Sequence, residues 1–153
     1  MLLKEINKQL INNFTETSFM NAFQTYFAEF EIVVDDWEKF FQEMNEEKGN
    51  QAFVLTEKEN TIAFILFRIE ELSNWFFHEE VYFIRELWVS PRFRKQNIAS
   101  NLLNQVENLA KIKKIHKLIL TTDSDAELYL KNDFRMDDSY RAKNKDQVFV
   151  KNI

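Results

Sequence analysis

Cysteine is absent from this 153-residue chain, and glycine and proline occur once each, as Gly49 and Pro91. Without cysteine there is no disulfide framework, no thiolate nucleophile and no zinc–thiolate site. The two histidines, His78 and His116, lie far apart and show no metal-ligand spacing, so no metal is expected. With a single glycine, turns must rest on Asn, Asp and Ser, and any phosphate-binding loop must form without a glycine-rich sequence. The longest apolar run, Ile62 to Phe67, is far too short to span a bilayer. The N-terminal MLLKEINKQL lacks the long apolar core and small-residue cleavage site of a signal peptide. These absences predict a cytoplasmic chain that does not bind membranes.

Aromatic residues are plentiful: sixteen Phe, three Trp and four Tyr supply large buried area per side chain, enough for a substantial core. The length fits one domain over residues 1–153, and no linker, repeat or low-complexity segment divides it. The net charge of −5 is unevenly spread. Glu31 to Glu80 is heavily acidic, whereas between Arg85 and Lys117 the basic residues Arg85, Arg92, Arg94, Lys95, Lys111, Lys113, Lys114 and Lys117 oppose only Glu86 and Glu107. That asymmetry suits either two solvated faces or one cationic and one anionic ligand. The acidic balance and the lack of an aromatic-interleaved basic face argue against nucleic acid as a partner.

Periodicity places the elements. Met1 to Ile6 reads as a short strand. Between Lys8 and Phe30, the steps of three and four from Phe19 through Phe23, Tyr26, Phe27 and Phe30 predict an amphipathic helix capped by Thr15 or Thr17. A second helix is expected from Asp35 or Asp36, with Trp37, Phe40, Phe41 and Met44 as its apolar stripe and Gly49 just past its end. Gln51 to Thr56 and Thr61 to Ile69 read as a hairpin. Glu70 to Glu80 reads as a connecting loop or a flared hairpin end, whose Trp75, Phe76 and Phe77 either fold over the core or line an acceptor site, with His78 a surface residue. Val81 to Val89 is a strand ended by Pro91, which cannot donate to a ladder. Ile98, Leu102 and Val106 then recur at helical spacing in a helix that opens near Asn97 and runs to about Lys114. His116 to Thr122 reads as a buried strand. Asp123, Ser124 and Asp125 are a capping cluster for a short helix reaching Tyr129 to Lys131, and a turn at Asn132 and Asp133 leads to final strands over Phe134 to Tyr140 and Gln147 to Lys151. The mixture is α+β.

The stretch from Glu86 to Leu103 therefore runs strand, proline, basic turn, helix. A helix N-terminus offers unpaired N–H groups and a positive dipole end, and here Arg92, Arg94 and Lys95 add charge. Taken alone, such a turn is as readily plain solvated charge as an anion site. V-S-P-R-F-R-K-Q-N-I-A-S-N-L-L, Val89 to Leu103, resembles the acyl-CoA signature of the GNAT superfamily of N-acetyltransferases, with Val89, Pro91, Arg94, Gln96, Ile98, Ala99, Leu102 and Leu103 in register. Thirty residues on, Y-L-K-N-D-F, Tyr129 to Phe134, is similar to the same family's Y-x-K-x-G-F. Asn97 and Asp133 stand where the family usually has glycine; both residue types enter left-handed conformations at lower cost than others.

The resemblance implies a mixed, mostly antiparallel central sheet with helices on both faces, and direct acetyl transfer from acetyl-CoA, as co-substrate, to a primary amine. It implies that the backbone at Trp88 and Val89 pairs with the pantetheine arm, and that Arg94, Lys95, Gln96, Asn97, Ile98, Ala99 and Ser100 hold the diphosphate. It makes Tyr129 the acid that protonates the departing thiolate, a task suited to a phenol that is neutral at pH 7; its other reading is a packed helix aromatic. Glu86 is either the proton acceptor for the amine, through water, or a strand charge paired with Arg85 or another basic residue. Glu70 and Glu71 are weaker candidates, suited to attracting a small cationic acceptor. The resemblance leaves homodimerisation open. It also leaves a rival, a GNAT-like domain that binds acyl-CoA or a protein partner without catalysis.

Overall fold

Strand β1 (Asn7–Ile11) pairs antiparallel with β2 (Asn50–Glu57), from Asn7 opposite Thr56 to Ile11 opposite Ala52. These elements belong to a computed structural model that describes residues 6–73, 76–124 and 126–153. The strand predicted over Met1 to Ile6 lies outside these residues except for Ile6, which is not in a strand, and the readings of Trp75 and Asp125 lie outside them too. The observed β1 lies ahead of the predicted helix, in a stretch to which no element was assigned. Its apolar spacing was mixed there, and pairing with β2 rather than local periodicity decides its state.

Helix α1 (Thr17–Glu29) is capped by Glu16 without a side-chain bond, so neither Thr15 nor Thr17 serves as the predicted cap; Thr15 Oγ1 donates instead to Asn13 Oδ1. Helix α2 (Trp37–Glu46) begins as expected, with Asp36 Oδ1 accepting from the Lys39 N–H. Gly49 beyond it takes φ 92°, in the region that costs other residues most. A two-residue turn joins β2 to β3 (Asn60–Ser73), and β4 (His78–Val89) follows. Of the two readings of Glu70 to Glu80, the hairpin end fits: β3 runs on to Ser73, β4 starts at His78, and the two strands are neighbours in the sheet.

Pro91–Phe93 forms one 3-10 turn, and α3 (Ile98–Ile112) leads to β5 (Lys117–Thr122) and α4 (Ala126–Lys131). Strand β6 is only Arg135–Met136, not the longer strand expected from Phe134 to Tyr140, since Asp137 Oδ1 accepts from the N–H and the hydroxyl of Ser139 in a local turn that leaves the ladder. The last strand, β7, is Gln147–Asn152. The seven strands form one sheet in the order β1-β2-β3-β4-β5-β7-β6. Pairing is antiparallel for β1–β2, β5–β7 and β6–β7 and parallel for β4–β5. The parallel register joins Tyr82 to Leu118 and Phe83 to Ile119, while β4 runs on to Val89 and β5 to Thr122. This is the mixed, mostly antiparallel sheet expected.

Contacts within the chain group it into two compact units: residues up to Leu66 with Glu86–Ala99, and Phe67–Arg85 with Ser100–Ile153. The first has an aromatic core in which Phe19 lies 4.9 Å from Phe14, 5.9 Å from Phe41 and 5.9 Å from Phe64, each edge-on. Edge-to-face packing at these separations adds about 0.5–1.5 kcal/mol per pair beyond burial. Trp88 is buried in the same cluster. The second unit buries Leu102, Val106, Leu118, Leu120, Phe134 and Phe149, with Phe67 edge-on to Tyr82 at 5.1 Å.

Candidate active site

Pro91 ends β4 and starts a tightly tied turn. The Ser90 N–H donates to Ile62 O at 2.7 Å, the Phe93 N–H to Ser90 O at 2.9 Å, and Phe93 is buried. The exposed chain that follows has two left-handed residues on either side of Gln96: Lys95 at φ 63° and Asn97 at φ 65°. Asn97 thus adopts the conformation for which glycine is usual, and α3 opens one residue later than expected, at Ile98. Backbone bonds among the described residues take none of the N–H groups of residues 95–97. The first-turn N–H groups of α3 have no intrahelical acceptor either. The turn is therefore a concentration of donors next to Lys95 at a positive helix end.

Arg94 is placed differently from a simple phosphate ligand. Its Nε donates to Val89 O at 2.9 Å and its Nη2 to both oxygens of Glu29 at 2.7 and 2.8 Å. Glu29, the last residue of α1, also accepts from Trp88 Nε1 at 2.6 Å. The Trp88 indole N–H and the Arg94 guanidinium together hold the Glu29 carboxyl below the usual carboxylate range. The Trp88 side chain is thereby a core group, and the predicted pantetheine contact would fall to the backbone alone. Val89 O, the other expected backbone partner, already accepts from Arg94. Arg92 leans on Phe93, with its guanidinium carbon 5.6 Å from the ring centroid.

Glu86 is half-buried on β4, and its Oε2 accepts from the Tyr26 hydroxyl at 2.7 Å. The carboxylate is thus held by a phenol from α1. Glu70 pairs with Arg68 at 3.0 Å and Glu71 with His78 at 3.0 Å, so both weaker candidates have local partners. Phe76 and Phe77 are exposed, against the reading that folds them over the core.

In the second unit, Tyr129 is buried on α4, edge-on to Phe134 at 5.8 Å and tilted against Phe149 at 6.4 Å. Its carbonyl accepts from the Phe134 N–H at 3.0 Å, and Asp133 takes φ 70°, the left-handed conformation expected of the residue replacing glycine there. Asn132 adds a link that the motif did not reveal: its Nδ2 donates to Ser100 Oγ at 2.9 Å and to Leu128 O at 2.8 Å. Ser100, expected to offer its hydroxyl to a phosphate, thus accepts from Asn132 and keeps its own proton to donate. Among the described residues no group of three or more His, Asp or Glu is placed to hold a metal ion. No helix among them is long and apolar enough to cross a membrane.

The polar bonds of three residues in these networks escaped the sequence reading: Tyr26, Glu29 and Asn132. Tyr26 and Glu29 are one helical turn apart on α1, and Glu86 and Trp88 share one face of β4, so the two elements meet in two rungs, Tyr26–Glu86 and Glu29–Trp88.

A model of the acetyltransferase (GNAT) family matches residues 16–134, and the chain belongs to that family. No curated protein matches the chain significantly. Among solved structures, Arabidopsis thaliana NAA60 in complex with a bisubstrate analogue is 18% identical, with 97% of this chain and 98% of that one covered and a TM-score of 0.71. A predicted acetyltransferase of Clostridium acetobutylicum, solved with acetyl-CoA, is 16% identical over 90% of this chain and 94% of its own, with a TM-score of 0.71. An aminoglycoside acetyltransferase from an uncultured soil metagenomic sample, in complex with sisomicin, is 15% identical over 85% and 87%, with a TM-score of 0.68. At such identities the likeness is one of fold.

Proposed function

We propose that the protein is a cytoplasmic N-acetyltransferase that moves an acetyl group directly from acetyl-CoA to a primary amine. The observation that carries this reading is the turn between Pro91 and Ile98. There, Lys95 and Asn97 adopt left-handed conformations and the N–H groups of residues 95–97 are left without backbone acceptors just beyond β4, in a chain of the GNAT family. A diphosphate is the anion such a turn suits, and the solved relative that carries acetyl-CoA supports the choice of donor.

The N–H groups of Gln96, Asn97, Ile98 and Ala99 would bind the diphosphate, with Lys95 adding charge and Ser100 a hydroxyl. The Trp88 and Val89 backbone would align the pantetheine. Attack by the amine nitrogen on the thioester carbonyl forms the new C–N bond, and expulsion of the CoA thiolate breaks the C–S bond. The proton lost by the amine passes through water to Glu86. Tyr129 gives its own proton to the thiolate and recovers one from solvent. No acyl-enzyme is needed, consistent with the absence of cysteine. The acidic stretch from Glu31 to Glu80 favours a small cationic acceptor.

Binding to the native state raises its stability by about 2.7 kcal/mol when ligand is a hundredfold above its dissociation constant. Acetyl-CoA at millimolar concentration should therefore raise the melting temperature; no rise would refute donor binding. A screen of primary amines with detection of released thiol then tests transfer. Acetyl-CoA binding with no CoA release for any amine would leave a binding domain without catalysis.

A further inference from the structure

The donor turn holds two non-glycine residues, Lys95 and Asn97, in the left-handed region within three residues of each other. Such conformations persist only where the surroundings determine them strongly. On its N-terminal side the turn is fixed by the Ser90–Ile62 bond and by buried Phe93. The residue directly before Lys95 is Arg94, whose side chain is committed to the protein through two of its nitrogens: Nε to Val89 O, and Nη2 to the Glu29 carboxylate. Glu29 is in turn fixed by the indole N–H of Trp88, a residue only 4% exposed in the aromatic core. A continuous line of bonds thus runs from the core through Trp88, Glu29 and Arg94 to the start of the left-handed segment.

We infer that Glu29 is a positioning residue for the donor turn, acting through Arg94 to hold the backbone of residues 95–97 in the shape that receives the diphosphate. The inference rests on the reading of that turn as the acetyl-CoA site. It gives Arg94 a different task from the expected one: its bonded donors go to Val89 and Glu29, and the phosphate contacts fall to the backbone N–H groups and Lys95. In a glycine-poor turn, a side-chain staple supplies the definition that the sequence does not encode in the backbone itself.

The test is acetyl-CoA affinity by titration calorimetry, with the full chain and four variants. Glu29→Gln keeps the shape and the acceptor oxygen for Trp88 but removes the charge. It should raise the Kd for acetyl-CoA about fivefold, the scale of a part-exposed ion pair. Arg94→Gln should weaken binding comparably, and the double variant no more than the weaker single one, because both remove the same link. Arg94→Lys keeps a cation that could still serve a phosphate but cannot bond Val89 O and Glu29 from two separate nitrogens, so it too should weaken binding. Tighter or unchanged binding in Glu29→Gln, or additive losses in the double variant, would overturn the inference while leaving donor binding intact. Absence of acetyl-CoA binding by the unmodified protein would instead remove the reading on which it rests, and the inference with it.

Discussion

The Tyr26 hydroxyl donates to Glu86 Oε2 across 2.7 Å, joining residues sixty positions apart in sequence. The ring that carries this hydroxyl is itself held in the core, 5.6 Å from Phe64 and 5.7 Å from Phe23. Tyr26→Phe therefore removes this hydrogen bond and almost no packing. If Glu86 accepts the amine proton, this hydrogen bond fixes where its carboxylate lies, and the variant should lower kcat/KM at neutral pH about three- to tenfold, the scale of a net hydrogen bond of about 1 kcal/mol, with the acetyl-CoA Kd unchanged. Unchanged kcat/KM would assign the pair to packing and leave Glu86 without support as the proton acceptor.

Tyr129→Phe separates chemistry from structure on α4. The Tyr129 ring lies against Phe134 and Phe149, contacts that phenylalanine preserves. General acid catalysis contributes about 10²–10⁴-fold. The variant should lose kcat on that scale while its acetyl-CoA Kd stays within about twofold. Parallel loss of binding and rate, measured by calorimetry and thiol release, would make the residue structural.

Much of this arrangement was legible in the chain because it depends on local chemistry. Asp36 caps α2 as its carboxylate position implied, Pro91 ends β4, and Asn97 and Asp133 take up the left-handed φ values that their replacement of glycine predicted. What escaped is set by partners distant in sequence. Residues 7–11 look no more like a strand than a helix until β2 supplies the ladder. Arg94 lies in the donor motif, yet its geometry is decided by Glu29, a carboxylate 65 residues earlier with nothing in its own neighbourhood to distinguish it from other acidic residues. Tyr26 was assigned to an apolar stripe, correctly, and its hydroxyl gains meaning only from the strand that it meets. Asn132 sits inside a recognised motif, but its bond to Ser100 follows from the packing of α4 near α3.

Stability should report the Glu29 carboxylate through its pH dependence. The Trp88 indole N–H and then Arg94 lower its pKa from the ordinary 4.5 in the folded chain. A group depressed on folding contributes stability that is fully present above its unfolded value and is lost as pH falls through its folded value. At pH 7 Glu29→Gln should be less stable by about 1 kcal/mol, a figure kept small by partial exposure. As the pH falls below 4.5 the difference between the two proteins should shrink toward zero. Thermal melts of both proteins at pH 7 and at progressively lower pH would show it, and a constant difference would mean that the ionised carboxylate contributes nothing.

Asn97 and Asp133 pose the same backbone question at two places with different consequences. At φ 65° and 70°, a residue with an ordinary Cβ costs about 1–2 kcal/mol relative to a right-handed conformation, less for Asn and Asp, and nothing for glycine. Replacing either by alanine should therefore lower stability by about 1 kcal/mol, and replacing either by glycine should be neutral or mildly stabilising. The two sites separate in donor binding. Asn97 lies among the N–H donors of the turn; if that turn receives the diphosphate and the Asn97 side chain crowds it, Asn97→Gly should lower the acetyl-CoA Kd. Asp133 precedes Phe134 in a turn closed by the Tyr129 carbonyl, and Asp133→Gly should leave that Kd unchanged. Calorimetric titration of the two glycine variants decides the matter: equal effects on Kd would mean that the side chain at position 97 faces away from the donor, and that the turn tolerates asparagine without loss.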